Sequence, residues 1–243
     1  MRRLRFLKSI AIYFLFIPFC IASEGMWTLD NLPRADLEQR YGFKPDAAWT
    51  QHAMQASVRL AGGCSGSFVS TAGLVLTNHH CVVGCVQDLS TADNNLVNAG
   101  FLAKDQPQER QCPGMEVNQL VSITDVTRRV QEKSQGLTGM SFNDARKAEF
   151  SRIEKECTRK GGMSVRCDIV QLYQGAGYHL YRYNRYQDVR LVFAPDYETG
   201  FFGGDPDNFN FPRFNLDMGL LRVYESGRPI HSTAFFPIRE IRC

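Results

Sequence analysis

The chain has 243 residues, enough for one large domain or two modest ones, and its 44% hydrophobic content is ample for a packed core. Its 28 Lys+Arg against 25 Asp+Glu give a net charge of only +3. Four of the basic residues (Arg2, Arg3, Arg5 and Lys8) fall in the first 22 positions, and without them the balance is 24 to 25, which excludes the basic surface of a nucleic-acid binder.

Those four residues precede an apolar run over positions 10–21 and then Ala22-Ser23-Glu24. A basic start, an apolar stretch too short to span a bilayer and small residues at its end make a signal peptide. We expect residues 1–22 to be removed and residues 23–243 to be exported, periplasmic or secreted, with no membrane association afterwards. A retained anchor is the alternative; Phe19 before Cys20 argues against a lipoprotein signal. Export lets the cysteines be read as disulfides. Seven remain after position 22, and Cys157 and Cys167 flank a Gly-Gly turn that can close a local loop. No CxxC or HxxxH spacing supports zinc, so no metal and no cofactor is expected.

The exported part opens with two short helices. In the second, after Pro45-Asp46, Trp49, His52, Ala53 and Ala56 fall at helical spacing, with His52 read as a packed residue rather than a ligand. Next come two short strands, 67–70 and 74–77, around Thr71-Ala72-Gly73, the pattern of a β-hairpin. His79, His80 and Cys81 follow at the strand end, where a loop on a rigid scaffold can hold a general base.

This stretch resembles the trypsin-like serine peptidases, in which a Gly-Cys-x-Gly-Ser strand is followed by a Leu-Thr-x-x-His-Cys turn. Carried over by position, the resemblance implies that His80 is the base and that Cys64 pairs with Cys81. Cys85 with Cys112 is then the residual pair, and Cys243 is odd. A surface turn with a chance His-His pair is the alternative.

Further on, 94–108 reads as a loop with a short helical piece, and 117–123 alternates as a strand. The clearest helix is 142–157, with Ser141 as its cap and Phe150, Ile153 and Cys157 on one face. Runs 169–173, 178–186 and 189–193 are β-branched and aromatic strands broken by Gly175-Ala176-Gly177. Tyr178, Tyr181, Tyr183 and Tyr186 are read as strand packing rather than a stacking platform. His179 reads as a strand residue, and His231 carries no motif. Asp217 stands immediately before the apolar run Met-Gly-Leu-Leu-Arg-Val, the setting of a triad aspartate that orients the imidazole. Asp188, Asp196, Asp205 and Asp207 sit in turn-like contexts, where capping is the ordinary role.

Residues 203–213 (GGDPDNFNFPR), together with 77–81, 186–195 and Gly25-Met-Trp, are similar to the bacterial dipeptidyl-peptidase 7 and 11 family, exopeptidases on a trypsin-like fold with an inserted helical domain. The resemblance implies a mainly β, double-barrel serine peptidase fold, incomplete within this chain, with peripheral helices. It also implies oligopeptide substrates, His80 and Asp217 as catalytic residues, and Asn208 and Phe209 as the site for the substrate's free N-terminus. Phe209 departs from the family's usual Trp. The family's nucleophile lies in a Gly-Asn-Ser-Gly context that does not occur here. The similar Ser65 and Ser67 already belong to the first strand and are rejected. We therefore expect 23–243 to be the N-terminal part of a catalytic domain, inactive alone. A homodimer is left open for a full-length chain, and a non-catalytic module that binds peptide N-termini or a trypsin-like endopeptidase remain as alternatives.

Overall fold

A computed structural model describes Gly25, residues 27–201 and residues 214–238. The elements follow in the order α1 (Arg34–Tyr41), α2 (Ala47–Ala56), β1 (Ser57–Leu60), β2 (Ser65–Phe68), β3 (Leu74–Thr77), α3 (His79–Leu89) and α4 (Leu96–Ala99). The two-residue strands β4 (Phe101–Leu102) and β5 (Arg110–Gln111) precede β6 (Val117–Asp125), α5 (Thr127–Ser134) and α6 (Gly139–Gly161). The chain then runs through β7 (Val165–Leu172), β8 (Gly177–Tyr186), β9 (Asp188–Ala194), α7 (Tyr197–Gly200), β10 (Gly219–Glu225) and β11 (Arg228–Pro229).

All strands join one antiparallel sheet in the order β4-β9-β10-β3-β2-β1-β6-β8-β7, with β11 added to β10 and β5 to β9. The expected hairpin is β2–β3, with Gly73 at φ +63° in its turn. A Cβ on Gly73 would also lie 2.9 Å from the Val223 carbonyl oxygen, so both conformation and space require glycine there. The main core is built where residues of β1, β2, β3, β9 and β10 face α3. Val58, Phe68, Val75, Leu191 and Leu221 meet Val82, Cys85 and Val86 of the helix. A smaller core of Val130, Ile153 and Tyr178 lies under α5 and α6.

The sheet is an open path rather than a closed barrel among the described residues. Its β7 end is covered by α6: Cys157 is bonded to Cys167, and Glu154 accepts the Ile169 backbone N–H at 2.8 Å. The helix thus takes one backbone donor of the β7 edge and lies over it, one way in which a sheet edge is covered. The other expected pair, Cys85–Cys112, is also bonded. No helix among the described residues is long and apolar enough to cross a membrane.

Several local expectations need correction. α6 begins at Gly139, three residues before the expected start, with Thr138 at its N-cap, so Ser141 lies inside the helix and does not cap it. Asp46 caps α2 through the Trp49 N–H, but the buried residues are Ala53, Met54 and Ala56. Trp49 stays 42% exposed against the edge of Phe43, and exposed His52 reaches the Phe235 carbonyl oxygen at 3.0 Å. Asp188 is a strand residue paired with Arg190 rather than a turn residue. Tyr178 and Tyr183 are buried in packing, as expected. His179 lies on β8, 3.1 Å from Asp30.

Candidate active site

β3 ends at Thr77, and the chain turns at once into α3 through Asn78, whose extended backbone forms the N-cap. His79 and His80 therefore occupy the first turn of a helix, not the loop expected from sequence. An Asn ahead of an apolar pattern at Val82, Cys85, Val86 and Leu89 is a helix-start signal that the sequence reading passed over.

The Asn78 side chain does not cap its own helix. Its amide nitrogen instead donates to Asp217, at 3.2 Å to the carbonyl oxygen and 3.0 Å to Oδ2. Asp217 supplies the missing cap from across the sheet, its Oδ1 accepting the His80 backbone N–H at 3.1 Å. β10 carries it to this place because Gly219 pairs with Thr77. Gly219 must be small, since a Cβ there would lie 2.7 Å from a Val82 methyl. The helix end favours negative charge at this point, so the carboxylate is held where backbone and dipole both accept it.

The same carboxylate faces the His80 ring, with Nδ1 at 3.1 Å from Oδ1 and 2.9 Å from Oδ2. An ionised carboxylate only accepts, so Nδ1 carries the proton and Nε2 keeps its lone pair. The Asp217 side chain is 18% exposed and that of His80 57%, so the acid is sheltered and the ring is open. Nε2 is thus the outward nitrogen of an oriented imidazole, the arrangement of a general base.

Cys81, next on the helix, is bonded to Cys64 at 2.07 Å, closing the loop that contains the hairpin. Cys64, Cys81 and His80 converge within 4.8 Å, but the sulfurs are spent on each other and are not thiolate ligands. On the other side of His80, the His79 ring is 2% exposed. It faces the Pro195 carbonyl and stands 6.2 Å from the Tyr197 ring, edge to face. Gly200 packs directly on it, as a Cβ there would come 2.4 Å from Nδ1. Burial pushes the His79 pKa down, against the opposing pull of Asp217. Asp196 caps α7 through the Thr199 N–H, and the Thr199 carbonyl accepts the Leu216 N–H at 2.8 Å. The chain on either side of 202–213 is therefore joined beside Asp217. Asn208 and Phe209 lie outside the described residues, as do Asp205 and Asp207.

Sequence reasoning named His80, Asp217, Cys64 and Cys81, and the fold brings all four together. It missed Asn78, His79 and Gly200, whose roles depend on contacts between distant segments.

Residues 22–240 match the family model Peptidase S46. The chain is 35% identical to Dipeptidyl-peptidase 7 of Porphyromonas endodontalis over 232 residues, 92% of this chain and 28% of that protein. It is also 35% identical to an Asp/Glu-specific dipeptidyl-peptidase of Capnocytophaga gingivalis over 214 residues, 84% of this chain and 30% of the relative. A crystal structure of Porphyromonas endodontalis DPP11 in complex with substrate aligns at TM-score 0.71 and 29% identity, over 89% of this chain and 34% of that one. The chain thus spans about a third of the length of the relatives it matches.

Proposed function

The chain belongs to the peptidase S46 family, and from that premise we propose that it is the N-terminal part of the catalytic domain of an exported serine dipeptidyl-peptidase, which releases dipeptides from peptides with a free N-terminus. His80 is the general base and Asp217 its orienting acid. The serine comes from sequence outside these residues, which leaves the 243-residue chain inactive alone. Asn208 accepts a hydrogen bond from the substrate ammonium, with Phe209 beside it. A neutral amide oxygen is suited to this because it accepts from a cation without a charge of its own.

The observation that carries the reading is the Asp217 carboxylate, shared between the His80 N–H, the His80 ring and Asn78. It fixes one tautomer and turns Nε2 toward a nucleophile, which passes its proton to that nitrogen, and the ring then gives the proton to the leaving amine. Ser65 and Ser67 are strand residues of β2, and among the described residues no serine hydroxyl bonds this ring. Three disulfides support export.

The test uses the protein expressed from its complete reading frame, with free and N-acetylated dipeptidyl substrates. The free-amine substrate should be cleaved and the acetylated one refused. Asn208→Ala should lower kcat/KM for the free substrate by about 2 kcal/mol, the scale of a hydrogen bond to a charged group. Equal cleavage of both substrates would remove the exopeptidase reading and leave only the peptidase scaffold.

A further inference from the structure

Beside His80, on the disulfide side, lies a cleft of about 320 Å³. Its floor is one face of α3, with His80 followed by Gly84 and Asp88 at four-residue steps. Cys64 and Cys81 form one wall, and the turn of Pro113, Gly114 and Met115 the other. Neither the His80–Asp217 pair nor the proposed amine anchor uses it. We propose that this cleft binds the leaving side of the substrate, the two or three residues after the scissile bond, and that Asp88 favours a basic side chain there. The inference rests on His80 being the base.

Direction comes from the helix. Successive residues of α3 point about 100° apart. His79 turns toward Tyr197 and Gly200, at the joint from which the stretch carrying Asn208 departs. Cys81 turns the opposite way, into the cleft wall, and His80 stands between them. A peptide cut at His80 whose amino-terminal part takes the Tyr197 and Gly200 side continues onto the Cys81 side. The leaving amine takes its proton from His80 Nε2, so the departing residues must pass this ring.

Length comes from the helix too. Eight residues from His80 to Asp88 rise about 12 Å at roughly 1.5 Å each. An extended peptide covers that distance in about three to four residues, so Asp88 reaches the second and third residues after the bond. Charge comes from the carboxylates in the walls. Glu116 also lines the cleft, but it is paired with Arg166 and Arg185 and bonded to Asn118. Asp88 is exposed and in no ion pair among the described residues, which leaves its charge for a ligand.

The experiment uses the complete protein and two hexapeptides that share their first three residues and carry Arg or Glu at the fourth and fifth positions. They are digested together and the released tetrapeptides counted by mass. The Arg peptide should be favoured about threefold or more at low salt, a surface-charge effect that fades as salt rises. Asp88→Lys should reverse the preference. Gly84→Leu should slow both hexapeptides relative to a dipeptidyl arylamide, since a Cβ at Gly84 meets nothing within 4 Å and the side chain fills the cleft without strain. Cleavage that shows no preference and ignores both substitutions would overturn the cleft and leave the dipeptidyl-peptidase reading standing. Failure of the unsubstituted protein to release any dipeptide would overturn both.

Discussion

Two sheltered carboxylates, Asp217 and Glu149, organise the two halves of this molecule, and they are held by different kinds of donor. Glu149, on α6, has a side chain only 1% exposed, against two guanidinium groups, Arg129 of α5 at 2.7 Å and Arg152 one turn along. Arg129 also grips Glu156 through both terminal nitrogens, at 2.8 and 3.0 Å. Asp217 meets an amide side chain, a backbone N–H and one imidazole nitrogen. Fixed cations hold both oxygens of Glu149, and Arg129 ties the two helices together. The donors on Asp217 are neutral apart from a ring that can change its charge, and that ring keeps one nitrogen facing solvent. The first arrangement holds a shape and the second leaves chemistry to be done.

The largest expected effect separates the two by activity. In the complete protein, Asp217→Asn puts an amide donor against the His80 N–H and ring and favours the wrong tautomer. On the role proposed for Asp217, kcat should fall by about 10⁴, the loss that follows when a serine-peptidase triad aspartate becomes asparagine, with the melting temperature little changed. A loss below tenfold would erase the distinction between the two carboxylates. Glu149→Ala should do the opposite. Removing one partner of a buried ion pair costs about 3–5 kcal/mol, and the half-exposed arginines should lower that to roughly 2–3 kcal/mol. Urea titration measures this loss, and kcat of the folded variant should stay within a factor of two or so of the parent.

The smallest effect sharpens the comparison at His79, where burial itself sets the charge. The folded protein holds this imidazole below the ordinary value of 6.5, so the unfolded chain binds a proton there first. Its stabilising contribution is complete above pH 6.5 and is lost as the pH falls from there toward the lowered folded value. The slope contributed is at most about 1.4 kcal/mol per pH unit. Melting curves between pH 7.5 and 5 should show it, and His79→Gln should flatten it. An equal slope in that variant would assign the dependence to other groups.

Patterns that act within a few residues were legible in the sequence. The β2–β3 hairpin, the strands of the β7–β9 region and the α6 helix follow from alternation, turn residues and helical spacing, which a short stretch determines alone. The Cys64–Cys81 bond and the meeting of Asp217 with His80 were named through a family pattern that carries tertiary information inside a motif. What the chain alone did not determine is how segments far apart share their polar groups. Asn78 looks like an ordinary cap, yet it gives its amide to Asp217, while Asp217 takes over the capping of α3. His79 and His80 are neighbours of identical chemistry, and only their rotation about the helix axis makes one a buried spacer against Gly200 and the other an open ring. The covering of the β7 edge was decided in the same way, by α6 docking there through the Cys157–Cys167 bond and Glu154. Local pattern selects elements because backbone sterics and side-chain period act over a few residues. The partner of a buried polar group is selected by whatever the packed fold brings within 3 Å or so.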